Sequence, residues 1–234
     1  MKEQEMNQDG VATIQATPYS YRYKIDTRQT VEAITNRLEQ FIAAEAHGRG
    51  RKEIEHNPLT AKVAQWICGD YKPMLLLCGG TGNGKTTTAK ALKNLMESMY
   101  VFTATDKDGN RHTIGSDSNE YTENKANVVM ITATDVSNEA RDNIDGFRRI
   151  KTARFLIIDD LGLEPAAVKN YGNEISPIAE VLYHRYEAQL FTIMTTNLNR
   201  EEIGERYGRR IDSRLYEVLD VINVTTKDFR KNNF

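Results

Sequence analysis

Apolar residues run through this chain in two rhythms. Val31, Ile34, Leu38, Phe41 and Ile42 recur at helical spacing after Thr30, whose hydroxyl suits an N-cap, and the pattern stops at Gly48. A second helical pattern, Leu59, Val63, Trp66 and Ile67, follows Asn57-Pro58 and runs up to Gly69. The other rhythm is short, apolar and β-rich: Met74-Leu75-Leu76-Leu77-Cys78, Val128-Val129-Met130-Ile131, Phe155-Leu156-Ile157-Ile158, Phe191-Thr192-Ile193-Met194 and Val218-Leu219-Asp220-Val221-Ile222. Such runs predict strands buried on both faces, and helical stretches such as Ser176 to Gln189 lie between some of them. The pattern as a whole predicts an α/β fold, a five-stranded parallel sheet sandwiched by helices.

Outside these elements the pattern divides the chain. Residues 1–25, rich in Gln, Asn, Thr and Tyr without periodicity, read as a flexible arm. Residues 26–56 form a short helical N-terminal region, and residues 57–234 form the core. The apolar stripe of the N-terminal helix needs a cover, either the chain's own core or a docking partner. Between Phe102 and Asn127 the chain turns polar, and Asp108-Gly109 marks a hairpin or mobile loop inserted after the first core helix.

Composition narrows the function classes. The 234 residues are 39% hydrophobic and 27% charged, enough to bury a substantial core. A net charge of −2 argues against a strongly basic nucleic-acid binder. Arg141, Arg148, Arg149, Lys151 and Arg154 still cluster, as do Arg49, Arg51 and Lys52; each cluster is either a solvated face or a local nucleic-acid contact. No apolar run approaches the roughly 20 residues that span a bilayer, and Met1 to Gly10 lacks a signal-peptide core, so a cytoplasmic location without membrane contact is expected. Cys68 and Cys78 fit neither a metal knuckle nor a disulfide framework and read as two reduced core thiols.

The chemistry begins where the first core strand ends. Gly79, Gly80, Thr81, Gly82, Asn83, Gly84, Lys85 and Thr86 spell G-x-x-x-x-G-K-[ST] between an apolar strand and a helix that opens with Thr87. Glycines let successive backbone N–H groups curl around phosphates, Lys85 reaches the β- and γ-phosphates, and the Thr86 hydroxyl ligates Mg²⁺. An ordinary glycine turn is the alternative. Asp159 and Asp160 follow the apolar run Phe155 to Ile158 and belong at the ligand-binding edge of a parallel sheet. Asp159 is suited to hold Mg²⁺ and Asp160 to polarise the attacking water; an acidic turn is the alternative. Asn197 ends another strand on the same edge, either as an amide facing the γ-phosphate or as a simple turn residue. Arg210 and Arg214, before the last strand, either stabilise phosphoryl-transfer charge on a neighbouring copy or pair with nearby Glu201, Glu202, Glu205 and Glu217.

In this order GGTGNGKTT, FLIIDDLGLEP, TIMTTNLN and RRIDSRL resemble the AAA+ ATPases, and within them the DnaC/IstB group of helicase loaders and transposition helper ATPases, over about residues 57–226. The resemblance implies a P-loop NTPase core of the AAA+ type, with Gly79 to Thr86 as the Walker A loop, Asp159 and Asp160 as the Walker B pair, Asn197 as sensor 1, and Arg210 with Arg214 as the arginine-finger motif. It implies ATP and Mg²⁺ as cofactors. It further implies a nucleotide-dependent homo-oligomer, a replicative helicase or a transposase as partner, and weak contact with single-stranded DNA. Most AAA+ members carry Glu where this chain has Asp160, which implies slow hydrolysis. The few residues after Arg214 imply that the usual C-terminal helical lid is missing. A P-loop kinase for a small metabolite and a nucleotide-gated adaptor are the readings of other classes.

Overall fold

The computed structural model describes residues 23–25, 29–48, 58–69, 72–98, 102–105, 111–114, 127–170 and 173–225. The N-terminal elements are β1 (Tyr23–Ile25), α1 (Val31–His47) and α2 (Pro58–Cys68). Thr30 caps α1 as its side chain predicts, its Oγ1 accepting the Ala33 N–H at 3.2 Å. The central elements are β2 (Met74–Cys78), α3 (Lys85–Ser98), the strands β3 (Phe102–Thr105) and β4 (Arg111–Ile114), and β5 (Val128–Thr132). Then come α4 (Ala133–Asp142), α5 (Ile144–Thr152), β6 (Phe155–Leu161), β7 (Val168–Asn170) and β8 (Asn173–Ile175). The last part holds α6 (Pro177–Glu187), β9 (Phe191–Thr196), α7 (Arg200–Tyr207), α8 (Arg209–Val218) and β10 (Leu219–Asn223).

The five apolar runs form one sheet in the order β10-β2-β9-β6-β5, with every pair parallel. Parallel strands need crossover helices, and these cover both faces. Successive side chains alternate between the two layers. Leu75 and Leu77 pack with α1, α2 and α3, whereas Met74 and Leu76 pack with α4, α6, α7 and α8. Because all five strands point the same way, their C-terminal tips share one edge, and Cys78 pairs in register with Thr196 there.

The structure chooses between two pairs of alternatives and changes two expectations in detail. The α1 stripe is covered by the chain's own α2 and α3, with Ile34 and Leu38 fully buried, so this face does not serve as a docking surface. The expected arm gives up its last three residues, as β1 pairs antiparallel with β3. The polar insertion is a hairpin, β3 against β4, whose turn lies outside the described residues. Cys68 and Cys78 are free thiols but only half-buried. The Arg49–Lys52 cluster also lies outside the described residues. No helix among them is long and apolar enough to cross a membrane.

One buried cation aligns the strands beneath the site. Arg185 on α6 is fully buried and donates to Thr192 Oγ1 at 2.7 Å, Phe191 O at 2.6 Å, Ala153 O at 2.8 Å and Lys151 O at 3.1 Å. These partners are neutral oxygens, and burial pushes the guanidinium down to about 9. The bonds tie the residues leading into β6 to the start of β9, so both strands enter the sheet in fixed register.

Candidate functional site

Residues 79–84 join β2 to α3. Gly79, at φ 156°, can only be glycine: a Cβ there would lie 2.4 Å from Val224 O and 2.6 Å from Asn83 Nδ2. Gly82 and Gly84 carry φ of 82° and 90° and bring the loop to the first turn of α3. The loop and the positive N-terminal end of α3 therefore lie at the C-terminal edge of the sheet, and a helix start of this kind favours an anion. Gly80 and Thr81 are exposed on the loop, while Thr87 is buried in the first turn of α3.

Lys85 knots this loop together. Its Nζ donates to Gly79 O and Gly80 O at 2.7 Å each, to Asn83 Oδ1 at 3.1 Å and to Asn197 Oδ1 at 2.7 Å. The ammonium is thus preorganised, with the tip of β9 brought beside the loop. Asn83 also reaches sideways, donating from Nδ2 to Val224 O at 2.8 Å. Burial pushes the neighbouring Cys78 thiol up, against the charge of Lys85, and the thiol donates to Leu198 O at 2.9 Å.

Both aspartates lie at the tip of β6, inside the strand rather than just beyond it as the sequence predicts. The reason is a bulge. Ile158 pairs with Met194 and Leu161 with Thr196, so β6 spends three steps where β9 spends two. The extra residue adopts a left-handed conformation at Asp160, φ 57°. Asp159 is buried, and its Oδ1 accepts from Thr86 Oγ1 at 3.1 Å and from Thr195 Oγ1 at 2.5 Å. Thr86 and Asp159, the two expected metal ligands, are therefore in direct contact.

The arginines lie elsewhere. On α8, Arg210 is exposed with its guanidinium 5.6 Å from the Tyr183 ring. Arg214 sits 4.9 Å from the Tyr183 ring and 5.6 Å from that of Tyr186, with Glu187 Oε1 3.8 Å from its Nε. Both rest on α6, apart from the Lys85 and Asp159 contacts. The glutamate near Arg214 is therefore Glu187 of α6 and none of the four that the sequence offers, whereas Arg210 presents its charge at the surface. In the other cluster, Arg141 pairs with Asp142 and Lys151 with Glu180, while Arg148 and Arg149 are exposed on α5.

Among solved structures, the chain is similar to the crystal structure of the DnaC helicase loader, with 18% identity over 74% of this chain and 92% of that one and a TM-score of 0.50. The shared fold is a parallel five-stranded sheet covered by helices on both faces. It is also similar to DnaI, at 17% identity over 87% of each chain with a TM-score of 0.45. A third match is the replication initiator DnaA bound to AMPPCP and single-stranded DNA, at 16% identity over 81% of this chain and 50% of that one with a TM-score of 0.49. No protein-family model and no curated protein matches the sequence.

Two residues around this site escape a reading from sequence. Thr195 touches both aspartates, accepting the Asp160 N–H at 2.9 Å besides donating to Asp159. Glu164, buried beyond the β6 tip, accepts from Gly162 N at 2.8 Å, Arg206 Nε at 3.1 Å and Tyr207 OH at 2.7 Å, and so straps α7 to the loop after the aspartates. Burial and then the Glu164 bond push the Tyr207 hydroxyl well above the usual phenol range, so it stays a donor. The signal that marks Thr195 is a polar residue inside a run that the sheet buries completely.

Proposed function

We propose that this chain binds and hydrolyses ATP with Mg²⁺ and acts as a loader of a replicative DNA helicase, working as a nucleotide-dependent homo-oligomer. The observation that carries the reading is the convergence of three strand tips on one loop. Lys85 of the β2–α3 loop meets Asn197 beyond β9 at 2.7 Å, and Thr86 meets Asp159 of β6 at 3.1 Å. A glycine turn without function has no need of a buried lysine, a carboxylate and an amide drawn together.

The donor set fits the expected cation. Thr86 Oγ1 and Asp159 Oδ1 are hard oxygens on adjacent elements, and Mg²⁺ takes one or two such ligands, completing its shell with water and phosphate oxygens. When bound, the ion neutralises charge on the β- and γ-phosphates. The chain's residues do the rest. Gly79, Gly80, Thr81, Gly82, Asn83, Gly84 and Thr87 hold the phosphates, Lys85 adds the cation, and Asn197 orients the γ-phosphate or its water. Asp160 polarises that water, and Arg210 of the next copy meets the developing charge. Arg214 lies over the same Tyr183 ring as Arg210 and donates to Arg210 O at 3.4 Å, and acts with it in the arginine-finger motif. Arg148 and Arg149 provide the weak, salt-dependent contact with single-stranded DNA.

Asp160→Asn separates binding from turnover. Asn tolerates the left-handed backbone, so folding and ATP affinity are expected to persist while phosphate release falls by about 10²- to 10⁴-fold. Unchanged release in a coupled phosphate assay removes Asp160 from the reaction. The partner is tested by co-purification from the native host. ATP-dependent retention of the hexameric replicative helicase supports the loader; retention of a transposase instead assigns the same core to a transposition helper, and retention of neither removes both.

A further inference from the structure

We propose that the Thr195 hydroxyl is the positioning group for both aspartates, and through them for the Mg²⁺-dependent part of nucleotide binding; this rests on the nucleotide site proposed above. The bulge makes such a group necessary. One residue too many in β6 takes Asp160 out of the ladder, and its N–H turns to Thr195 Oγ1 at 2.9 Å. The same oxygen gives its own proton to Asp159 Oδ1 at 2.5 Å. A hydroxyl is the small side chain that accepts and donates at once, and Thr195 fills both roles. It is fully buried, so bulk water does not stand in for it. Asp159 Oδ1 in turn meets Thr86 Oγ1 at 3.1 Å, and a single run of hydrogen bonds leads from the backbone of Asp160 to the first turn of α3.

Valine matches threonine in shape and lacks both functions. Without the hydroxyl, Asp159 loses its shortest donor and the Asp160 amide its acceptor. The contacts of Lys85 and the glycine loop involve neither bond. The loss is therefore expected in the metal-dependent step alone. Supports of this kind, one bond removed from a metal ligand, typically change metal affinity or activity by about 10- to 100-fold.

The test is an equilibrium titration of the full chain with a fluorescent ATP analogue, in Mg²⁺ and in EDTA. Wild type is expected to bind more tightly in Mg²⁺. Thr195→Val is expected to lose about tenfold or more of that gain with its EDTA affinity unchanged, and Thr195→Ser to recover it. A general packing defect would instead weaken both affinities together and lower the melting temperature of the serine variant as well. If wild type gains from Mg²⁺ and Thr195→Val gains equally, the assignment of Thr195 is overturned and the nucleotide site stands. If wild type binds no nucleotide, the functional reading fails and this inference with it. Amide exchange of wild type needs no variant to fold: the Asp160 N–H is expected to be protected like those of β9, and exchange at an open-loop rate overturns the inference.

Discussion

Arg210→Ala protein is expected to bind ATP as wild type does and to hydrolyse it on the order of 10³-fold more slowly, the loss typical when a guanidinium supplied from outside the binding loop is removed. The geometry behind this is the separation of the two halves of the site. Lys85, Thr86, Asp159 and Asn197 are linked by direct hydrogen bonds, whereas Arg210 stands exposed on α8 against Tyr183. Under the proposed function, a charge so placed meets a phosphate bound by another molecule. Mixing makes the test specific. Arg210→Ala and Asp160→Asn chains, each inactive alone, are expected to recover part of the activity when combined, because one contributes an intact loop and the other an intact arginine. A mixture as inactive as its components would place the arginine's role within its own chain or nowhere.

Lys85→Ala is expected to abolish measurable nucleotide binding, weakening it by at least about 100-fold, or about 2.7 kcal/mol. The ammonium is one of the most highly connected groups at the sheet edge, with acceptors from Gly79, Gly80, Asn83 and Asn197. Its removal takes away the charge that phosphate needs and loosens Asn197 from the loop. Thermal unfolding reads both effects. A ligand at about 100 times its dissociation constant stabilises a folded chain by about 2.7 kcal/mol, so ATP should raise the wild-type transition and leave the variant's unmoved. A variant that still gains stability from ATP would mean that the glycine loop is not where the nucleotide binds.

The frame of the protein was legible because its signals are local. Met74 to Cys78 and Phe155 to Ile158 are apolar without interruption, and buried parallel strands are the structures that accept such runs. Pro58 and Thr30 mark helix starts through their own backbone and side-chain preferences. The glycine loop is legible for the same reason, since its spacing is its geometry. What escaped depends on partners distant in sequence. Thr195 looks like a β-branched filler until a bulge in β6, invisible in Phe155 to Leu161, turns the Asp160 amide toward it. Glu164 looks like an acidic turn until α7 delivers Arg206 and Tyr207. Arg185 reads as one more charge in an amphipathic helix, yet the carbonyls before β6 and along β9 bury it. The surroundings of the late arginines are likewise set in space: Glu187 and two tyrosine rings of α6 lie beside Arg214, and Arg210 is exposed over Tyr183.

β10 gives the molecule a short mechanical train. Helix α8 ends at Val218 and the strand starts at Leu219 with no residue between them. Five residues later Val224 is gripped from two sides, its N–H by Cys78 O at 2.7 Å and its carbonyl by Asn83 at 2.8 Å. The segment that displays Arg210 to the outside is thus geared without slack to the crest of the chain's own glycine loop. A tug at either end has only a rigid ribbon, paired along its length with β2, through which to travel.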